Sequence, residues 1–318
     1  MTVGISEMDC QSDCDGINSM KTVYAYLNGG LGNQMFQYAT ARALALRTGA
    51  NLVLDSWSGF VRDFEYHRSY ELHFLPIQAR AATTLERAPI WLFRMDNKLR
   101  GKKKNVFQHR FYGNFLVETE MRYLPKIGIF DAVNTTWMVG YWQSPLYFQE
   151  YAKILRTELM PPQPIQAKFL DLGKILREKE SVALGIRLYE ESSNPAFDAD
   201  DLKVKVAAVN SAILRLQKLQ PKAQFFVFCT HRSSILTELK LPKSTVFVTH
   251  DDGYEGTIER LWLLAQCKHH IFTNSSYYWW GAWLSASLHS DAHGGCRYIF
   301  AEEKFNNRDG LCPEWQKF

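Results

Sequence analysis

The sequence predicts an α/β protein whose first half opens on a β–Gly-rich turn–α–β unit and whose second half is a doubly wound parallel sheet. Three observations carry that prediction. Near the N-terminus an apolar strand runs into a Gly-rich turn and then a helix, over residues 22–49. From residue 182 to residue 301, strand and helix patterns alternate, as they do in βαβ units with a parallel sheet. A proline-rich break, Met160 to Pro164 (MPPQP), separates the two regions and reads as a linker.

Thr22 to Leu27 is apolar and β-rich, and Asn28 to Asn33 (NGGLGN) forms the turn. Phe36, Ala39, Ala43 and Leu46 then recur at helical spacing until Gly49, a C-cap glycine. Asn51 to Asp55 reads as the second strand. Residues 60–135 are less regular, with a helix predicted over Thr84 to Arg100. That helix ends in Arg100, Lys102, Lys103 and Lys104. The run is either a solvated helix end favoured by the dipole or a peripheral contact for an anionic lipid head group or glycan carrier. Thr136 to Trp142 is a strand and Pro145 to Leu159 an amphipathic helix. Five further strands are predicted: Val182–Leu188, Gln224–Thr230, Thr245–Thr249, His269–Thr273 and Arg297–Ala301. The helices between them span Leu202–Leu219, Ser233–Leu239, Thr257–Gln266 and Ser276–Ser287. The expected division is therefore a leader over 1–19, a first domain over 20–160 and a second domain over 165–318.

With 318 residues the chain is long enough for two ordinary domains or one large one, and either buries a sizeable core. Its 46% hydrophobic and 22% charged residues exclude a disordered or fibrous protein. A net charge of +4, from 37 basic and 33 acidic residues, excludes a broad nucleic-acid surface but leaves room for one basic pocket. No apolar run approaches the roughly 20 residues that span a bilayer. Residues 1–19 hold Glu7, Asp9, Asp13 and Asp15 and no Lys or Arg, unlike a signal peptide. They read as a flexible acidic leader, or as an extension ahead of a start at Met20. The six cysteines form no CxxC pair, so reduced thiols and a cytoplasmic location are expected.

Three segments can carry chemistry. The turn containing Gly30 and Gly32 can bring backbone N–H groups to a phosphate at a helix N-terminus. It can also be a plain tight turn, or an incomplete dinucleotide fingerprint, with Asp55 about 20 residues on as the ribose acid. Asn274, Ser275 and Ser276 follow a strand and open a helix. They serve as an N-cap or grip a diphosphate. Arg187 ends the first strand of the second sheet, where a cation can neutralise a leaving phosphate or pair structurally with a carboxylate.

Taken together, the motifs resemble the α-1,2-fucosyltransferases of glycosyltransferase family 11. Gly29 to Ala39 (GGLGNQMFQYA) matches the family's N-terminal signature, and Gly140 to Ser144 (GYWQS) its central block. Cys267 to Ile271 (CKHHI), Asn274 to Ser276 and Trp279 to Leu284 (WWGAWL) match its C-terminal signature, and Pro313 to Trp315 its closing motif. The resemblance implies a GT-B-like fold, two Rossmann-like domains facing a cleft. It implies GDP-fucose as donor, a galactose-terminated glycan as acceptor, inversion at the anomeric carbon and no cofactor or metal. One block departs. Where the family carries HxRRGD, this chain has Gly185, Ile186, Arg187, Leu188, Tyr189 and Glu190. Arg260, with Glu259 beside it, stands at a position that is usually acidic.

On that resemblance Arg187 and Asn33 are the catalytic candidates. Gly30, Gly32, Asn274, Ser275, Ser276 and Glu259 are the donor-binding ones. Asp55, Asp63, Glu65 and His67 are the candidate bases on the acceptor side. Trp142 and Gln143 either form an acceptor wall or belong to the core. Bacterial surface polysaccharide synthesis, at or near the inner membrane, is the expected setting. Three alternatives stay open: another nucleotide sugar on the same fold, a weakly active GDP- or glycan-binding homologue, and a nucleotide-dependent oxidoreductase.

Overall fold

A computed structural model describes residues 20–61, 63–64, 66–88, 106–109, 113–187, 199–289 and 296–318. The leader, Glu65, the Arg100–Lys104 run and Leu188 to Glu191 lie outside those residues. Two six-stranded sheets form the scaffold.

The first sheet has the order β3-β2-β1-β6-β5-β4. Its strands are β1 (Thr22–Tyr26), β2 (Asn51–Asp55), β3 (Arg80–Ala81), β4 (Val106–His109), β5 (Gly113–Val117) and β6 (Thr135–Val139). Only the β4–β5 pair is antiparallel. The second sheet is parallel throughout, in the order β12-β11-β10-β7-β8-β9. Its strands are β7 (Ser181–Gly185), β8 (Gln224–Phe228), β9 (Val246–Val248), β10 (His269–Phe272), β11 (Ile299–Ala301) and β12 (Gln316–Lys317). Numbered from β7, that is the doubly wound dinucleotide-fold order, with its switch point between β7 and β10. The strands of this sheet are buried apolar runs (FFVF in β8, IFA in β11), as parallel strands covered on both faces must be.

Among the described residues the helices longer than one turn are α1 (Leu31–Thr48), α2 (Ala152–Leu159), α3 (Ala167–Glu178), α4 (Ala199–Leu219), α5 (Thr257–Gln266) and α6 (Ser276–Leu284). The helix predicted over Pro145–Leu159 is broken. Two 3₁₀ turns precede α2, because Phe148 leaves the helical region to bury its ring against Trp280, 5.7 Å away and stacked. The Ser233–Leu239 helix is likewise a 3₁₀ turn, Ser234–Glu238. At Thr84 a 3₁₀ turn spans Thr84–Glu86, with a capping box from Thr83 and Glu86.

One hydrophobic core runs through both units. It joins Val23 and Phe36 of the first to Leu264, Trp280 and Trp315 of the second. Trp279, Trp280 and Trp283 are buried in it, with Phe36 4.6 Å from Trp279 and 4.8 Å from Trp280. Such ring pairs add to the stability gained from burial itself. These tryptophans are core and offer no platform to a ligand. The C-terminal segment also returns to the first unit. Arg308 N donates to Met121 O, Ser144 Oγ to Asp309 O, and Tyr123 N to Asp309 Oδ2.

Candidate active site

In a doubly wound sheet the ligand crevice lies at the carboxyl ends of the strands, at the switch point. Here that crevice is edged by Arg187 after β7 and Thr273 after β10. Thr273 N donates to Gly185 O, and Arg187 N donates to Thr273 Oγ1 at 2.9 Å. The Arg187 side chain is exposed at this edge. Ser275 is the N-cap of α6 without a side-chain cap bond, and no acidic residue occupies its first turn. Asn274 is differently employed from the expected donor grip. Its backbone N–H donates to Glu302 Oε2, and its side chain exchanges hydrogen bonds with Asn306. A carboxylate therefore takes the amide that a phosphate was expected to take.

The Gly-rich turn meets this crevice from the first unit. Helix α1 begins with Gly30 as N-cap, again without a side-chain cap and without an acidic first turn. Gly29 has φ +75°, a conformation open to glycine at no steric cost. Gly32 is needed for close approach, since a Cβ there would stand 2.5 Å from Tyr277 N and 2.7 Å from Ser276 Oγ. Trp280 Nε1 donates to Gly32 O at 2.9 Å. Two helix N-termini thus abut across the cleft. The glycine surface a dinucleotide would need is spent on protein, which removes the oxidoreductase reading of this turn.

Asn33 is the polar centre of the junction. Its Oδ1 accepts from Gln143 Nε2 at 2.7 Å and from Ser276 Oγ at 2.8 Å. So Ser276, expected on the donor, faces Asn33. The neighbouring glutamines of the signature explain themselves structurally. Gln34 Nε2 donates to Gly29 O and Ser69 O, while its Oε1 accepts from Glu71 N. Gln37 joins Asn28 to Gly140 O. Arg68, which the sequence does not single out, places its guanidinium 4.0 Å from where Gly30 would carry a Cβ.

The departure at Gly185 has a steric cause. The Tyr278 ring fills the space a side chain at 185 would occupy. Its hydroxyl donates to Phe228 O at 2.8 Å. A histidine cannot stand at 185 while Tyr278 stands opposite. Beyond the ends of β8 and β9, Arg260 is buried, donating from Nη2 to Cys229 O and pairing through Nη1 with His250 Nε2 at 3.0 Å. His231 Nδ1 meets Asp251 Oδ1 nearby. Glu259 folds back onto Gly256 at the start of α5.

The acceptor-side candidates divide. Asp55 is buried, and its carboxylate accepts backbone N–H bonds from Trp57, Ser58 and Ala88. It is a loop anchor, neither a base nor a ribose ligand. Trp142 and Gln143 are each 1% exposed, which leaves them no face for a sugar, so the acceptor-wall expectation is corrected to core. Asp63 accepts from Tyr66 N and Arg68 N. Those backbone bonds, the one from Tyr66 first, hold its carboxyl below the usual range. His67 is exposed at φ +50°. One carboxylate in this region escaped the sequence: Glu118, just beyond β5, accepts from Tyr141 N and Trp142 N through Oε2. Burial raises its pKa, against the pull of those two N–H groups. Among the described residues no group of three His, Cys, Asp or Glu is placed to hold a metal ion. None of their helices is long and apolar enough to cross a membrane.

The comparisons with known proteins bear on the family of the chain. The model of a family described as Glycosyl transferase family 11 matches residues 70–291. An alpha-1,2-colitosyltransferase of Escherichia coli is 32% identical over 273 residues, 83% of this chain and 88% of that protein. An O-antigen biosynthesis glycosyltransferase, WbnK, also of Escherichia coli, is 26% identical over 285 residues, 83% and 90% of the two chains. Among solved structures, the fucosyltransferase NodZ from Bradyrhizobium superposes with a TM-score of 0.49 at 16% identity, over 83% of this chain and 92% of that one.

Proposed function

Because the chain belongs to glycosyl transferase family 11, we propose that it moves fucose from GDP-fucose to a hydroxyl of a galactose-terminated glycan, with inversion and an α-1,2 linkage. The observation that carries this reading is the meeting of two uncapped helix N-termini, α1 and α6, beside Arg187. Uncapped N-termini carry partial positive charge and unspent N–H donors. Glu302 takes the Asn274 N–H just ahead of α6, but neither first turn carries an acid, so the N–H groups of those turns favour an anion, and a nucleoside diphosphate supplies one.

In this reading the donor diphosphate lies along the crevice between Arg187 and the start of α6. The nucleoside extends over the ends of β8 and β9, near His231, His250 and Arg260. As the bond from the anomeric carbon to the diphosphate oxygen stretches, charge grows on the leaving GDP. Arg187 and the α6 N–H groups offset it, an electrostatic effect worth about 3–4 kcal/mol for a well-placed donor. Asn33 faces the reacting centre across the cleft and orients donor and acceptor. The acceptor hydroxyl attacks from the opposite side and inverts the centre. No step calls on a metal.

A second donor follows from the colitosyltransferase similarity. Colitose lacks one more hydroxyl than fucose, and the same steps move either sugar. The deciding experiment incubates the protein with GDP-fucose, GDP-colitose and UDP-galactose over terminal galactosides. GDP release and product linkage are read together. Turnover of a GDP-linked deoxy sugar into an α-1,2 product is the expected result. Release from UDP-galactose alone, or GDP binding without transfer to any acceptor, sinks the proposal.

A further inference from the structure

We propose that Glu118 is a positioning residue for Asn33, acting through the turn that carries Gly140 to Gln143. The inference rests on the reading above in one respect only, that Asn33 serves the transfer. Its structural part stands on distances.

Glu118 is locked in place before its side chain does anything. Its backbone N–H donates to Val139 O at 2.9 Å, continuing the β5–β6 pairing to the carboxyl edge of the first sheet. From there Oε2 accepts from Tyr141 N at 2.7 Å and from Trp142 N at 3.0 Å. The turn so held is strained. Trp142 sits at φ +56°, a left-handed conformation that a bulky residue adopts only when its surroundings over-determine it. Gly140 has no room for a Cβ, which would collide with the Glu118 Cβ and crowd the Trp142 ring. Gly140 O accepts from Gln37, and the Trp142 ring packs edge-on against Tyr147 at 5.6 Å.

The next residue is the output of the turn. Gln143 Nε2 reaches Asn33 Oδ1 at 2.7 Å, the atom that also takes the Ser276 hydroxyl. Without the Glu118 acceptor, two N–H groups lose their partner in a part-buried turn, and the left-handed Trp142 loses the bond that fixes its backbone N–H. Gln143 then leaves Asn33, and Asn33 loses its fixed orientation.

The test uses the full chain with Glu118→Ala, Glu118→Gln, Asn33→Ala and the Glu118→Ala/Asn33→Ala double variant. Glu118→Gln keeps an amide oxygen that can accept both N–H bonds. Hydrogen exchange of peptides covering 139–146 and 28–36 should speed up about tenfold in Glu118→Ala, the scale of a lost buried acceptor. It should return towards wild type in Glu118→Gln, while exchange in 224–228 stays unchanged. With GDP-fucose, Glu118→Ala should lose on the order of 10²-fold in kcat, as misplacement of a reacting group does, with donor KM little changed. The double variant should be no slower than Asn33→Ala alone. Additive losses, or unchanged exchange in 28–36, overturn the inference. If Glu118→Ala does not fold, Glu118→Asp, which withdraws the oxygen by one methylene, replaces it under the same criteria. A wild-type protein inert with GDP-fucose counts against the proposed function alone, since the exchange measurements still decide the positioning role.

Discussion

At the scale of single residues, the site is a small number of side chains whose backbones are fixed by the two sheets. Arg187 shows this most directly. Its N–H is tied to Thr273 Oγ1 across the switch point, so the guanidinium starts from a fixed root at the crevice edge. Arg187→Ala should lower kcat on the order of 10²–10³-fold and weaken GDP binding, while leaving the melting temperature nearly unchanged, because the residue is exposed. Steady-state kinetics beside a thermal melt check this, and wild-type kcat in the variant defeats the assignment. Other residues show where a sequence stops being readable. Gln34 and Gln37 sit in a signature, yet nothing in their spacing says that both are buried and spent on the backbone. Asp55 stood at the right distance for a ribose acid, but three N–H groups claim it. Glu118 carried no signal, because its partners lie 23 and 24 residues away, across a strand pair.

At the scale of elements, most parallel strands and the helices α1, α4, α5 and α6 were legible, because their apolar runs and periods are dictated by burial. The helix α3 and the strands β4 and β5 were not placed, and the two-residue strands β3 and β12 have too few residues to show a period. The altered block at the end of β7 was legible as a difference but not as a cause. Its cause is α6, which lays Tyr278 over Gly185. Placing a histidine there overfills the space. Gly185→His should destabilise the protein by about 1–3 kcal/mol, and adding Tyr278→Ala should recover part of that loss. A double variant as unstable as the sum of the two singles refutes the reciprocal fit. The opposite, amino edge of the same sheet carries a different liability. His269, His270 and His289 all have their pKa lowered by burial, His270 far below 6.5. His269 Nδ1 accepts from Tyr298 N, so its proton resides on Nε2, facing Glu180. The unfolded chain therefore binds more protons than the folded one below pH 6.5, and stability is lost as pH falls through that value. His270, whose pKa burial lowers furthest, contributes most to that loss. Urea unfolding at pH 7.5 and 5.5 should show it, and His270→Gln, which keeps a donor for Cys267 O, should flatten the slope. Equal midpoints at the two pH values rule it out.

At the scale of the whole molecule, the question is whether two doubly wound units behave as two bodies. Separate domains usually meet through modest, polar interfaces and move relative to one another. Here the interface is a continuation of the core: Phe36 and Phe148 of the first unit pack on Trp279, Trp280 and Trp283 of the second. Polar ties cross with them, among them Ser276 to Asn33, Trp280 to Gly32 and Ser144 to Asp309. The chain's 14% aromatic content is concentrated in part at this seam, where burying one ring strengthens both units. Pulling the units apart would expose several large rings at once. Each is worth about 1.5–3 kcal/mol of burial, a total comparable with the stability of an entire domain. Unfolding one unit alone therefore removes most of what holds the other. Calorimetry should show a single transition whose van't Hoff enthalpy matches the calorimetric one. Trp280→Ala should lower stability by about 3–5 kcal/mol and, by thinning the seam, be the substitution that first separates the transition into two. Saturating GDP should raise the single wild-type transition as one unit, since a ligand of the second sheet then stabilises both. Two resolved transitions in the wild type, with GDP moving only one, would show the seam to be weaker than its packing implies.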